Sequence, residues 1–454
     1  MHHALYELAK RYKTRILGLT LGREYYIVVF KREYVKEVLV RPEFQARPDN
    51  FFIRLRSLGS RKGITMTDGY HWQVQRQFLV RHLRNLGFGK TGMEALIHNA
   101  LKDLIDKLGD GGPEINISQH LPKCVLNVLW KIAGGSTFSD DDEQLDKFLY
   151  QMGRRSKAFD IAGGLLTQFP WLRYIAPEIS GYNLINNVNK HLSALIKKTI
   201  EEHKLTYDKN KTRDYIDVFL HQMSMENHDT TFTEEQLTIV CFDLFIAGSQ
   251  TTSNTLDFAL LQMILHPEIQ REVQKDIDKN LVAGELPKMS DRSRMHYVEA
   301  VLAEVFRLYS VAPTIGPRRV LKDTSIGGFF IPKGTTVLIH IDSVHKDPDE
   351  WDDSLQFKPE RFLDENRNFL STEQLFTFGY GIRRCPGEVL AKNFLFIFFT
   401  GLLQHFHMSI VENAERPSDV PIPGISISPR PYLLQLKRRH PQSIVNNNQD
   451  LIME

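Results

Sequence analysis

Apolar residues recur at helical spacing along most of this chain. Residues 1–10 begin an amphipathic helix, and residues 389–406 form a strongly apolar helical run. A capping box at residues 233–236 opens a helical pattern that lasts roughly 30 residues, or about 50 Å at 1.5 Å per residue, and Pro267 ends it. A further helix is predicted over about 290–309. These patterns predict a mostly helical protein with one helix long enough to cross it.

Strand patterns are short and lie near the two ends of the chain. Residues 16–21 and 25–30 predict two strands, and further strands are expected between 420 and 436. No linker rich in Pro, Gly or Ser, repeat or low-complexity tract divides the 454 residues. We therefore expect residues 1–454 to form a single domain with a small β-rich lobe.

Charge and cysteine content exclude several classes of protein. The chain has 57 basic and 55 acidic residues, a net charge of +2, so no nucleic-acid partner is expected. Cys124, Cys241 and Cys385 are widely spaced and suggest neither a disulfide framework nor a zinc site. The longest apolar run, residues 394–403, has about half of the ~20 residues that a transmembrane helix needs.

The most specific chemistry lies in residues 378–387. Pro386 suits the first position of the helical run that follows, so Cys385 is expected at a helix N-terminus, where backbone N–H groups and the helix dipole lower a thiol pKa. Gly379, Gly381 and Gly387 leave room for a flat cofactor beside the sulfur. The alternative is a buried structural cysteine in a Gly-rich turn.

The same segment matches the pattern Phe-x-x-Gly-x-Arg-x-Cys-x-Gly at Phe378, Gly381, Arg383, Cys385 and Gly387. This pattern resembles the haem-binding loop of the cytochrome P-450 superfamily. The resemblance implies the cytochrome P-450 fold, with haem b (iron protoporphyrin IX) between the long central helix and the helix after the cysteine. It also implies that Cys385 is the axial ligand of the haem iron and that Arg383 binds a haem propionate.

A second motif interrupts the long central helix. Ala247 and Gly248 precede Ser249, Gln250, Thr251 and Thr252, and such a cluster can open a helix locally. The segment resembles the oxygen-binding groove of the family, where the threonine matching Thr251 relays protons. Gln250 stands where the family usually has an acid, and an amide cannot deliver a proton as a carboxylic acid does. A close helix crossing is the alternative reading of the small residues.

Two further motifs resemble structural elements of the family. Glu304 and Arg307 share a helix face, and Arg361 follows in a Pro-Glu-Arg-Phe sequence. As an isolated pair, Glu304 and Arg307 would be a solvated ion pair. The resemblance implies instead that the three residues form a buried cluster behind the cysteine loop with a structural role.

Additional haem contacts are expected from separate segments. Trp72 and Arg76 match the Trp-x-x-x-Arg pattern of the family's propionate-binding helix. Arg318 stands where microsomal relatives place a propionate ligand, and Arg47 is a weaker candidate. Haem carries two propionates, and Arg binds carboxylates bidentately, so several arginines from different segments suit one cofactor.

The resemblance covers nearly the whole chain and implies a monooxygenase that inserts one oxygen atom from O2 into a lipophilic substrate. NADPH would supply electrons through NADPH–cytochrome P-450 reductase, and cytochrome b5 is a further candidate partner. Substrate contacts are expected from residues 51–63, 161–170, 242–247, 312–315 and 422–426. Two alternatives stay open, namely a haem-thiolate isomerase or dehydratase and a non-catalytic haem or ligand binder.

The variant resembles the microsomal clan-two group, and residues 50–56 and 81–89 are similar to insect members, including enzymes that epoxidise the juvenile hormone precursor. Microsomal members begin with an anchor helix and a Pro-rich hinge, which precede the segments matched here. The chain is expected to be a truncated gene model or short isoform of an enzyme on the cytosolic face of the endoplasmic reticulum membrane, with peripheral membrane contact.

Overall fold

The computed structural model describes residues 1–22, 24–139, 142–159, 164–282 and 284–440. Helices make up most of it, in agreement with the expected mostly α fold. The helices are α1 (His2–Arg11), α2 (Arg32–Val40), α3 (Phe51–Arg56), α4 (Gly69–Asn85), α5 (Thr91–Leu108), α6 (Leu121–Gly134), α7 (Glu143–Ala158), α8 (Leu165–Gln168), α9 (Leu172–Ile175), α10 (Tyr182–Leu205), α11 (Tyr215–Ser224), α12 (Glu234–Leu265), α13 (Pro267–Asn280), α14 (His296–Leu308), α15 (Ile341–His345) and α16 (Glu388–His405).

The strands form three small sheets. They are β1 (Ile16–Leu21), β2 (Glu24–Val29), β3 (Gly111–Ile115), β4 (Thr314–Arg319), β5 (Thr324–Ile326), β6 (Phe329–Ile331), β7 (Thr336–His340), β8 (Phe406–Ile410) and β9 (Leu434–Arg438). The largest sheet has the order β1-β2-β7-β4, with β2 and β7 parallel and the other pairs antiparallel. A second sheet has the order β3-β9-β8, and β5 pairs with β6. The expected β-rich lobe is therefore present.

Helix α12 runs through the main hydrophobic core. The Thr233 hydroxyl caps it by accepting a hydrogen bond from the N–H of Gln236, and Pro267 ends the pattern as expected. The helix packs against α6, α10, α14 and α16. Most of its side chains are buried, because it has neighbours on nearly every side.

Two predicted helix boundaries were wrong. The segment expected as one helix over about 290–309 is a 3₁₀ turn (Met289–Ser293) followed by α14. The Asp276 carboxylate, on α13, accepts hydrogen bonds from the N–H groups of Tyr297 and Val298, and so caps α14 from another helix. Helix α16 begins at Glu388, two residues later than Pro386 suggested.

None of the helices in the described part of the chain combines the length and apolar character that a bilayer crossing requires.

Candidate active site

The cysteine loop turns tightly just before α16. The N–H of Cys385 donates a hydrogen bond of 2.8 Å to the Phe378 carbonyl, which closes the loop on itself. Gly387 is the N-cap of α16, and a Cβ at that position would lie 3.9 Å from the Cys385 Sγ. Gly381 has a φ of +70°, and a Cβ there would lie 2.7 Å from the Leu39 carbonyl oxygen, so only glycine fits without strain.

Cys385 combines exposed surface with surrounding protein that desolvates its thiol. The residue has exposed surface, yet burial raises the pKa of the thiol, and the N–H groups of Gly387 and Glu388 oppose that rise only partly. The N–H groups at the helix N-terminus favour the thiolate, as expected, but desolvation outweighs them in the free thiol. A cation bound to the sulfur would reverse the balance, since metal coordination deprotonates a thiol outright.

Three of the expected propionate contacts lie side by side. The Arg383 guanidinium stacks over the Trp72 ring at 3.6 Å from its centroid, and the Arg76 guanidinium lies 5.7 Å from the same centroid. Arg383 Nη1 donates to the Thr67 carbonyl at 2.8 Å, and its Nη2 donates to the Gln45 carbonyl at 2.7 Å. Burial, and then the neighbouring Arg47, lowers the pKa of Arg383 to about 8.

Arg47 and Arg318 join this group from other segments. Arg47 Nη1 donates to the carbonyls of Gly316 and Pro317 at 2.6 and 2.7 Å. Burial, and then Arg383, lowers the pKa of Arg318 to about 9, and burial together with Arg318 lowers that of Arg47. Several guanidinium groups therefore converge where their mutual repulsion disfavours the charged forms.

The chemistry of this cluster fits the two carboxylates of haem. Trp72 Nε1, Arg47 Nε and Arg318 Nε are buried and have no hydrogen-bond partner among the described residues. Unpaired buried donors are rare, and each costs about 1–3 kcal/mol. Anionic acceptors here would satisfy the donors and offset the repulsion among the arginines. We call Arg47, Trp72, Arg76, Arg318 and Arg383 the cationic cradle.

The Ala247 side of α12 also faces open space. Ala247 is exposed although it lies in the middle of a core helix, and Thr251 follows one turn later on the same face. The Thr251 hydroxyl donates to the Ala247 carbonyl at 2.8 Å, and α12 stays helical through the motif instead of opening. Gly248 also marks a close helix crossing, because a Cβ there would lie 2.5 Å from Leu129 Cδ2 on α6.

Gln250 does not share the Thr251 face. Its Nε2 lies 3.7 Å from the position of a Cβ on Gly153 of α7. Together with Asn254 and Asp257 it lines a groove against α7, so it points about 100° away from Thr251 around the helix. The structure therefore does not bring the amide and the threonine hydroxyl together on one face.

Glu304, Arg307 and Arg361 meet in a buried cluster. Both Glu304 and Arg307 are fully buried, and Arg361 Nε donates to Glu304 Oε1 at 3.1 Å. The remaining Arg307 donors reach the carbonyls of His345, Ser354 and Gln356. The Phe306 and Phe378 rings, 5.4 Å apart edge to face, connect α14 to the cysteine loop.

Three of the expected substrate-contact segments meet in one apolar cluster. Residues 51–63, 161–170 and 422–426 contribute Phe52, Leu166 and Ile425, although residues 161–163 lie outside the described residues. Phe242 and Ile315, from the other two segments, belong to different parts of the core. The buried Arg155 beside this cluster was missed, since a single Arg on a helix gives no sequence signal. Arg56 lies within the expected residues 51–63 but was not singled out there.

Comparisons with known proteins agree with this arrangement. Probable cytochrome P450 305a1 of Drosophila melanogaster is 41% identical over 449 residues, which cover 96% of this chain and 89% of that protein. The farnesoate epoxidase of Bombyx mori is 34% identical over 439 residues, with 96% and 89% covered. Cytochrome P450 2D28 of Mesocricetus auratus is 35% identical over 445 residues, with 96% and 88% covered.

The range matched by a family model includes the cysteine loop, the cationic cradle and α12. A family model described as Cytochrome P450 matches residues 1–436. Because this match spans the elements that build the site, the chain belongs to the cytochrome P450 family of haem-containing oxidoreductases and has its monooxygenase chemistry.

Proposed function

We propose that this protein inserts one oxygen atom from O2 into a lipophilic organic substrate, by hydroxylation or epoxidation, with electrons that NADPH supplies through a reductase. Residues 1–454 would act as one haem-thiolate monooxygenase domain. The observation that carries this proposal is the pairing of Cys385, an exposed thiol in the loop before α16, with the unpaired donors of the cationic cradle.

The cradle would hold haem b by its propionates. Arg383, Arg76 and Trp72 would bind from the side of α4 and the cysteine loop, and Arg318 and Arg47 from the β4 side. Cys385 would hold the haem iron through its sulfur, with Gly387 leaving room beside the sulfur and Phe378 shielding it. When bound, haem supplies the oxidation chemistry, and a thiolate ligand favours O–O cleavage.

The residues of α12 would handle protons and exclude water. The Thr251 hydroxyl, held on the Ala247 carbonyl, can accept a proton from water and pass its own proton towards the open space. Gln250 faces the groove against α7, so it would act on Thr251 only through ordered water. The apolar cluster around Phe52 and Ile425 would bind the lipophilic body of the substrate.

We also propose that the protein acts at the cytosolic face of the endoplasmic reticulum membrane, with NADPH–cytochrome P-450 reductase as its partner and cytochrome b5 as a second one. Large apolar side chains are exposed in and around α8 and α9, namely Leu165, Phe169, Trp171, Tyr174, Ile175 and Ile179. Such a patch suits the interface of a lipid bilayer. Failure of the protein to float with phospholipid vesicles would count against this contact.

The test begins with the purified protein and its carbonyl complex after reduction. Wild type should bind haem and give the red-shifted Soret band of thiolate ligation, and Cys385→His should lose that band. Incubation with NADPH, reductase and ¹⁸O2 should then give a product that carries one labelled oxygen. Product without NADPH or label would indicate an isomerase or dehydratase, and haem without any product would indicate a binding protein.

A further inference from the structure

Among the described residues, two arginines outside the cationic cradle, the buried Arg155 and the half-buried Arg56, have no acidic hydrogen-bond partner. Arg155, on α7, is only 4% exposed, and its Nε and Nη2 are buried without any partner among the described residues. The Nη1 of Arg56, on α3, is also buried without a hydrogen-bond partner among the described residues. An isolated buried cation is costly, so a pair of them indicates that an anion is missing from their surroundings.

The two guanidinium groups belong to one interface between α3 and the end of α7. The rings of Phe52 and Phe159 are in contact there, with centroids 5.4 Å apart. Arg56 lies one turn after Phe52, and Arg155 lies one turn before Phe159. Burial, and then Arg56, lowers the pKa of Arg155 to about 9, so the two charges repel each other.

This interface borders the Thr251 side of α12. Burial lowers the pKa of Arg56, and the charge of Asp243 opposes that shift. Asp243 lies two turns before Thr251, roughly 12 Å along the helix axis. The Asp243 carboxylate is already occupied, because its Oδ2 accepts hydrogen bonds from the N–H groups of Ile64 and Thr65 at 2.8 and 2.9 Å. Among the residues that the structure describes here, two cations and one carboxylate leave an excess of one positive charge.

The two arginines adjoin an apolar cluster. Phe52 and Phe159 belong to a hydrophobic cluster whose other members are Ile53, Met66, Leu166 and Ile185, with Ile425 packed against it. A ligand that suits this place has a long apolar body and one terminal negative charge. A guanidinium group recognises a carboxylate by parallel N–H···O bonds, which matches the unpaired Nε and Nη2 of Arg155.

We propose that the substrate is a lipophilic carboxylic acid, whose carboxylate binds Arg155 and Arg56 while its apolar body extends along the Phe52 cluster towards Thr251. This inference rests on the proposed monooxygenase function and specifies its substrate class. Because the Bombyx mori relative is a farnesoate epoxidase, farnesoate is a suitable probe.

The experiment compares acids with their methyl esters by titrating the haem absorption of the purified holoenzyme. The pairs are farnesoate with methyl farnesoate and dodecanoate with methyl dodecanoate, which differ only in the charge. In wild type, at least one acid should bind at least about tenfold more tightly than its ester, as expected when a charge-assisted bond is lost.

Matched variants assign the preference to the two arginines. Arg155→Gln should weaken acid binding at least about tenfold and leave ester binding nearly unchanged, and Arg56→Gln should act in the same direction. Arg154→Gln is the control, because Arg154 is the exposed neighbour on the same helix. The haem content of each variant shows whether it is folded. If a variant does not fold, the comparison of acid with ester in wild type still tests the proposal.

Several outcomes would overturn the inference. They are esters that bind as tightly as the acids in both pairs, acids that fail to perturb the haem, and an Arg155→Gln variant that weakens acid and ester equally. Failure of the proposed function is distinguishable, because it is read from labelled oxygen in the product. If the enzyme oxygenated the ester but did not bind the acid, the carboxylate site would be refuted and the monooxygenase function would stand.

Discussion

Arg307 Nε donates to Glu304 Oε2 at 2.7 Å, and neither side chain has any exposed surface. Glu304 Oε1 also accepts from Arg307 Nη2, from the Lys358 N–H and from Arg361 Nε. Every charge in this cluster therefore has a partner. The cluster joins α14 to the segment that leads into the cysteine loop, so its integrity bears on the haem site.

Glu304→Ala should reduce the free energy of unfolding by ~3–5 kcal/mol, because it leaves Arg307 buried without its carboxylate. The yield of soluble, haem-loaded protein should fall with it. Urea unfolding and haem content measure the two effects. Glu143→Ala is the control, since Glu143 forms an exposed pair with Lys147 and should change stability little. If Glu304→Ala had the same free energy of unfolding as wild type, the cluster would contribute no stability.

Arg318→Met should have opposite effects on the haem-free and haem-loaded protein. Without haem it removes a buried cation whose pKa is depressed, so the melting temperature should rise. With haem it removes a charged hydrogen bond worth about 1.5–3 kcal/mol, so haem should dissociate roughly 10- to 100-fold faster. Transfer of haem to apomyoglobin measures the rate. Arg84→Gln, exposed on α4, should leave both quantities unchanged, and unaltered haem loss in Arg318→Met would contradict a propionate role.

The sequence predicted those features whose signals are local. The capping threonine and Pro267 bound α12 correctly, and the motif around Cys385 located the loop. The break before α14 escaped prediction because the Asp276 carboxylate that caps it lies on a different helix. The roles of Arg56 and Arg155 were not predicted for the same reason, since α3 and α7 meet only in the folded protein. Whether the N–H donors of these two arginines are paired depends on that packing.

Thr251→Ala should divert electrons from product to hydrogen peroxide, because it removes the hydroxyl held by the Ala247 carbonyl. NADPH consumed, peroxide released and product formed should be measured together with a reductase. Ser253→Ala is the matched control, since the Ser253 hydroxyl donates to the Ser249 carbonyl in the same way but lies on another face of α12. Equal coupling in Thr251→Ala and wild type would remove the proton-relay role.

Gln250→Glu should preserve coupling or improve it, because a carboxylic acid can deliver protons through water and the amide cannot. The side chain faces α7, so substrate affinity should stay within a few-fold of wild type. NADPH consumed, peroxide released and product formed are again measured together. Strong uncoupling in Gln250→Glu would show that the amide itself, and not merely water beside it, is required.

Asp257 should make the protein less stable as the pH rises. Burial raises the pKa of this carboxyl to about 6, although its Oδ1 accepts hydrogen bonds from the hydroxyls of Ser118 and Tyr432. A carboxyl with a raised folded-state pKa contributes its stability fully below the unfolded value, near 3.8, and loses it as the pH rises through about 6. The loss should approach about 3 kcal/mol, from 1.36 kcal/mol per pKa unit.

Asp257→Asn tests this dependence, because the amide keeps an acceptor for both hydroxyls and cannot ionise. In urea unfolding, the free energy of the variant relative to wild type should rise by about 2 kcal/mol between pH 4.5 and pH 7.5, because about a third of the loss has already occurred at pH 4.5. Glu143→Gln, at an exposed site, should follow the wild-type curve throughout. A constant difference between Asp257→Asn and wild type across this range would mean that Asp257 does not titrate with a raised pKa, and that its ionised form is as well accommodated as its neutral form.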